Sequence, residues 1–275
     1  MRDSFLNRTA FYVLLIFIAA FSLGPLLWQL LTSLKPTEEL IRLPPILPSH
    51  LNVQNYANVF EGRPFARIIL NSAVVAISTT VLSLLIGSLA GYALAALNIR
   101  GKKLTLALVL SISMFPPIAT VSPLYIIIRA LGIRDTYLAL IVPYAAFALP
   151  MTIWILTNFF REIPVELRDA SRIDGCTTFQ TFTKVYFPLA APGLMTAAIL
   201  VFIFSWNEFL YALTFTTTER AQTIPVGIAL FPGLHEIPWG DIAAATIIVT
   251  VPLVLLVFAF QRRIVSGLTA GSVKG

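Results

Sequence analysis

Histidine and cysteine, the side chains most used for general-base, thiol and metal chemistry, are nearly missing from this sequence. Of its 275 residues two are histidine, His50 and His235, and one is cysteine, Cys176. A lone cysteine excludes an internal disulfide framework and a thiolate metal cluster, and two histidines so far apart do not suggest a zinc or di-iron site. No G-x4-G-K-[ST] stretch exists to cradle phosphates, and no Ser-His-Asp, Cys-His or H-E-x-x-H arrangement is legible. The chain is therefore expected to bind no cofactor and to catalyse nothing itself. Its polar chemistry gathers instead in a charged run at Pro164–Gly175, in the triplet Trp206-Asn207-Glu208, and in a loop at Thr216–Asp241.

The charged run reads as a helix with both ends specified. Pro164 suits the first helical position, whose N–H needs no partner. Glu166 and Asp169 lie early, where the helix dipole favours anions, and Arg172 lies late, where it favours cations. Gly175 suits the left-handed residue that ends a helix. Ile163, Leu167 and Ala170 recur at helical spacing and predict one apolar side. A short capped helix of this kind is rigid, and it suits the groove of a soluble partner.

Glu208, with Trp206 and Asn207, places a carboxylate, an amide and an aromatic face together at the end of an apolar run. Such a group can bind a polar ligand, since ionisable residues at membrane depth are often functional. The same triplet also fits an interfacial aromatic belt with a hydrated carboxylate. Trp154 and Asn158 are further candidates for a ligand pathway, or equally glue between helices. The loop carries Pro225, Pro232, Gly233, His235, Glu236, Pro238 and Trp239 and reads as irregular or re-entrant over Ala221–Leu234.

These groups are positioned by a very apolar chain. Hydrophobic residues make up 57% and charged residues 12%, and mean hydropathy is +0.86. A soluble domain of this size needs more charge to cover its surface. The apolar runs are long and continuous rather than alternating, so helices are predicted, not barrel strands. Six reach the roughly 20 residues needed to cross hydrocarbon. They lie at about 10–33, 68–97, 105–128, 136–160, 185–208 and 242–261, within one transmembrane domain over 1–275. The first run is too long for a signal-peptide core and is expected to be retained. With the N-terminus inside, twelve of the nineteen basic residues, among them Arg100, Lys102, Arg161, Arg168 and Arg262, fall on the cytoplasmic side. That bias predicts both termini inside and the 161–184 loop in the cytoplasm. The spans lack the buried ionisable residues of a self-sufficient ion-coupled carrier or channel, the alternative reading. The positive charge of +6 lies between spans rather than in a nucleic-acid stripe.

One pattern is more specific. Asp169-Ala170-Ser171, three residues, Gly175, nine residues, then Val185-Tyr186-Phe187-Pro188 resembles the EAA motif, E-A-A-x3-G-x9-I-x-L-P, of ATP-binding-cassette importer permeases. Further segments narrow the resemblance to maltose- and trehalose-type, MalG-like sugar permeases. They include Leu43-Pro44-Pro45, Asn55-Tyr56, Asn71-Ser72, Gly91-Tyr92-Ala93-Leu94-Ala95, Met114-Phe115-Pro116, Ser205-Trp206-Asn207-Glu208 and Gly267-Leu268-Thr269-Ala270-Gly271.

The resemblance implies an all-α, type I importer permease (MetI-like) fold in a bacterial or archaeal inner membrane. It implies a MalF-like second permease, two copies of an ABC ATPase holding ATP and Mg, an extracytoplasmic sugar-binding protein, and a sugar substrate. Glu166, Asp169, Ala170, Ser171, Arg172, Asp174, Gly175 and Pro188 would then form the ATPase-coupling loop. Trp154, Asn158, Trp206, Asn207 and Glu208 would line the sugar's path. Ser266–Gly275 is implied as a second ATPase contact.

Overall fold

The computed structural model describes residues 2–41, 45–61, 64–231 and 237–269, with side chains described between 7 and 261. Leu43-Pro44, the 232–236 stretch with His235 and Glu236, and the side chains of the tail lie outside the described residues. Every regular element described is helical. In chain order they are α1 (Arg2–Ser33), α2 (Thr37–Leu40), α3 (Gln54–Glu61), α4 (Phe65–Ala96), α5 (Lys102–Ile112), α6 (Pro117–Ala130), α7 (Leu138–Glu162) and α8 (Val165–Ile173). Then come α9 (Thr178–Thr181), a π-helical turn at Phe182–Tyr186, α10 (Phe187–Leu189), α11 (Ala191–Asn207), α12 (Leu210–Phe215), α13 (Ile224–Ala229) and α14 (Trp239–Thr269).

Four of these are long and apolar enough to cross a membrane: Asn7–Ser33, Phe65–Ala96, Leu138–Glu162 and Trp239–Gln261. The other two expected spans are broken. The α5–α6 pair bends by 86°, and the pair Thr178–Leu189 and Ala191–Asn207 bends by 77°. Proline accounts for both. Pro116 and Pro117 offer no N–H, and Pro116 is extended at ψ 126, as a residue before proline prefers. The α5 helix therefore stops, and α6 restarts with Pro117 in its first turn. Pro188 and Pro192 flank the second bend at Ala190, so the straight helix there begins at Ala191 rather than near 185. The run expected to be irregular after Ala221 holds a short buried helix, α13, with Pro225 in its first turn.

The packing gathers into two compact units. One unit contains α1, α2, α3 and α14 as far as Pro252. Its knot is Asn55, whose amide donates to the carbonyls of Ser33 at 3.0 Å and Lys35 at 2.9 Å. A Cβ on Gly240 would come within 2.6 Å of that amide, so only glycine lets α14 start there. Lys35 is fully buried, with its ammonium 4.2 Å from the centre of the Trp28 ring.

The second unit runs from Arg67 to Gly227 and resumes at Leu253. Its centre is α7, with α11, α5 and α12 packed on it. A Cβ on Gly91 of α4 would stand 3.1 Å from the Thr157 nitrogen of α7, and one on Gly87 2.5 Å from Thr152. These glycines let the two backbones touch, which is how membrane helices gain dispersion energy where water supplies no hydrophobic drive.

Candidate functional site

The helix α8 stands between α7 and the π-helical turn, and it is built as its sequence specifies, with two exceptions. Its C-terminus is a Schellman motif: the Cys176 N–H donates to the Ser171 carbonyl at 2.9 Å and the Gly175 N–H to the Arg172 carbonyl at 3.1 Å. Gly175 takes the required left-handed conformation at φ +80. Pro164 is the N-cap residue rather than the first helical one. Of the apolar side expected of Ile163, Leu167 and Ala170, only Ile163, just before the helix, packs against the core. Ser171 is the one buried residue of α8, whereas Val165, Leu167 and Ala170 are exposed and Ile173 is 87% exposed. Polar bonds, not apolar burial, hold this helix down.

Those bonds are specific. The Ser171 hydroxyl pairs with that of Thr181 at 2.8 Å and donates to the Arg168 carbonyl at 2.7 Å. Arg168 Nη1 donates to the Ala96 carbonyl at the end of α4, at 2.7 Å, while Nε and Nη2 each lie 3.1 Å from Asp169 Oδ1. Asp169 remains 56% exposed. After α8, Thr177 and Gln180 form a reciprocal capping box that starts α9.

Beneath this handle lies an aromatic cluster. Tyr92 of α4 sits 4.9 Å from Tyr186, 5.2 Å from Phe182 and 6.2 Å from Phe160, ring centre to ring centre. Its hydroxyl reaches the Thr178 carbonyl at 3.4 Å. Each aromatic pair adds about 0.5–1.5 kcal/mol beyond area burial, so the π-helical turn is fastened to α4 and α7. Phe182 and Tyr186, at the two ends of this π turn, both face the cluster. Glu166, Ala170, Arg172, Asp174 and Pro188 are all exposed around it.

At the other end of α4 the polar groups are consumed internally. Asn71 donates to the carbonyls of Glu219 and Gln222, at 3.1 and 2.9 Å, and accepts from the Tyr137 hydroxyl at 2.7 Å. The Ser72 hydroxyl accepts from the Ile224 N–H at 2.8 Å. Asp135 accepts from the amides of Thr217 at 2.9 Å and Thr218 at 3.1 Å, and from the Thr218 hydroxyl. Burial pushes its carboxyl up, but these bonds and the charge of Arg220 together hold it below its ordinary value.

Residues 83–269 match the family described as "Binding-protein-dependent transport system inner membrane component". The chain belongs to that family. This permease is 47% identical over 271 residues to the "Trehalose transport system permease protein SugB" of Mycobacterium tuberculosis, covering 98% of both chains. It is 41% identical over 278 residues to the "Trehalose/maltose transport system permease protein MalG" of Thermococcus litoralis, covering 100% of both. Its fold superposes on a chain of a bacterial ABC transporter that imports the acidic polysaccharide alginate, with a TM-score of 0.81 at 22% identity, over 95% of this chain and 98% of that one. It is a multi-pass inner-membrane permease subunit.

The permease's second expected group does not form one site. Glu208 follows the last residue of α11 and caps α12, its two oxygens accepting from the N–H groups of Tyr211 at 3.0 Å and Ala212 at 3.2 Å. The buried Tyr144 of α7 lies beside the same carboxylate. Trp206 is buried and stacked on Phe202, and the Asn207 amide donates back to its own helix at the Ile203 carbonyl. Trp154 and Asn158 lie further along α7, about 15 and 21 Å from the level of Tyr144 at 1.5 Å per residue. Sequence reasoning missed Tyr211 here. Its hydroxyl shares a 2.7 Å hydrogen bond with Thr120 and donates to the Pro117 carbonyl at 3.3 Å, joining the Glu208 break to the α5–α6 break. It also missed Arg168 as a contact and the Phe160–Phe182–Tyr186 cluster. Tyr92 was visible only as part of a family segment.

Proposed function

We propose that α8 is the element through which a soluble ATPase drives this permease, and that the cargo is a disaccharide-class sugar of the trehalose and maltose kind. The observation that carries the coupling reading is the geometry of α8: a short helix capped at its end, fastened to α4 and the π turn, with a half-exposed carboxylate at Asp169 and an apolar outer side. A groove with a basic residue would take that side and that carboxylate together. Names of full-length relatives at 41–47% identity support the sugar class.

On this reading a MalF-like second permease pairs with the chain, two ATPase copies hold ATP and Mg, and an extracytoplasmic protein delivers the sugar. Moving a two-state bundle from 1:99 to 99:1 requires about 5.5 kcal/mol of differential binding. A rigid, capped helix transmits such a push, whereas a frayed loop dissipates it. Within the spans, Glu208 and Tyr211 belong to the moving parts: they tie together two helix breaks, where a bundle bends most easily. Trp154 and Asn158 remain the candidates for direct sugar contact, because their side chains are not consumed in the packing around Glu208.

The experiment is labelling of Ile173→Cys in a Cys176→Ser background, in cells and in the assembled complex. The reading predicts labelling by an impermeant maleimide only after the cytoplasmic side is opened, and cross-linking of that cysteine to the ATPase subunit. Labelling from outside intact cells, or no cross-link in an assembled complex, contradicts it.

A further inference from the structure

Motion applied to α8 reaches α7 directly through the Ile163-Pro164 backbone, and it reaches α4, far away in sequence, through the contacts that hold it. Among the described residues its other side-chain hydrogen bonds stay between Arg168 and Thr181. The bond from Arg168 Nη1 to the Ala96 carbonyl is different, because it crosses 72 residues to the last residue of a 32-residue apolar helix. The carbonyls of a helix's last turn have no partner within the helix and carry the negative end of its dipole, so a cation is the fitting group there. Lys102 contributes a second one, its ammonium 3.4 Å from the Ala95 carbonyl.

We propose that Arg168 is a positioning residue: it tethers α8 to the end of α4 and at the same time presents Asp169 to the docking partner. This rests on the coupling role of α8. The fork of the guanidinium makes the double task possible, with one terminal nitrogen on the carbonyl and the Nε side on the carboxylate. The burial of the pair is asymmetric, 18% exposed for Arg168 against 56% for Asp169. Both of these contacts fall on Oδ1, and the side chain is 56% exposed, so the carboxylate stays accessible to a partner's basic group. A pull on Asp169 is therefore handed through one side chain to the α4 backbone. Lysine has the charge but not the fork, and glutamine can donate to the carbonyl but carries no charge for the carboxylate.

The test uses the complete transporter in liposomes, with radiolabelled trehalose and maltose as probes. Sugar imported per ATP hydrolysed is measured for R168Q, R168K and D169R. Spin-label distances between Ile99→Cys and Ile173→Cys are measured in the Cys176→Ser background. R168Q is expected to lower the ratio about tenfold, the loss expected for a charge-assisted hydrogen bond, and to broaden the distance distribution; R168K is expected to fall between it and wild type. A residue that only helped folding would lower the amount of complex and leave the ratio of the assembled fraction unchanged. A wild-type ratio and an unbroadened distance in R168Q overturn the tether. If R168Q does not assemble, R168K decides, and a wild-type ratio there overturns it equally. If D169R uncouples transport while the Arg168 variants do not, the tether alone fails. If D169R also transports normally, the coupling role of α8 fails with it.

Discussion

At one end of α4, Asn71 and Ser72 reach out from the helix and grip the backbone of the 219–224 segment. At the other end, Arg168 and Lys102 reach in and grip the helix's own carbonyls. The first end is closed: Asn71 satisfies three partners, and nearby Asp135 takes two amides and a hydroxyl. The second end is open, because the guanidinium that holds Ala96 also holds a carboxylate that faces solvent. A saturated network resists displacement, since each bond broken at the buried Asn71 leaves a polar group unpaired away from water. A half-exposed ion pair in water is worth about 0–1 kcal/mol, so it can be exchanged for a partner's charge at little cost. One end of the rod is thus braced, and the other is available to a second protein.

The contrast holds only while α4 lies against α7, so the largest effect is expected from Gly91→Leu. The added side chain starts 3.1 Å from the Thr157 nitrogen and 3.2 Å from Leu156 Cβ. Overpacking of this kind costs about 3 kcal/mol or more, and monodisperse protein in detergent should be largely lost. Asn71→Leu comes next. It strips partners from two carbonyls and the Tyr137 hydroxyl and should lower unfolding stability by about 2 kcal/mol, read by thermal melting, while maleimide access at position 173 stays as in wild type. Altered access there would mean that the two ends are not separate devices.

Gly175→Ala is expected to have a smaller effect. Its left-handed φ of +80 strains any other residue by about 1 kcal/mol, so hydrogen exchange should quicken at Gly175 and Cys176 without a change in overall melting. The smallest effect is the pH dependence at Asp135. A carboxyl held below its unfolded pKa stabilises the fold fully above about pH 4, near the ordinary value of 3.9, and this contribution is lost as pH falls through the lower folded value. The melting gap between wild type and Asp135→Asn should therefore narrow on acidification. A gap that widens would remove Asp135 from the brace.

Much of this was legible in the residues. The long apolar runs announce the spans because lipid leaves the backbone no choice but the helix. Gly175 announces the end of α8 because only glycine takes its conformation without strain. The 86° and 77° bends were not legible, since a proline in a run marks a weak point without saying whether neighbouring helices straighten it. Nor was the face α8 buries. Apolar periodicity pointed to Ile163, Leu167 and Ala170; Ile163 packs on the core, but α8 itself is docked by Ser171 and Arg168 through bonds to Thr181 and Ala96. Pairings that cross a chain leave no periodic trace. Glu208 was singled out by its charge within an apolar run, and that charge is spent on the N–H groups of α12.

The most direct test of the mechanical claim is the number of sugar molecules imported per ATP hydrolysed by fully assembled transporters carrying Asp169→Arg. If a basic groove receives Asp169 as proposed, placing a like charge there and beside Arg168 should leave ATP being consumed while uptake per ATP drops by about tenfold or more. A wild-type ratio in complexes of normal composition would show that Asp169 and the helix bearing it do not carry the stroke.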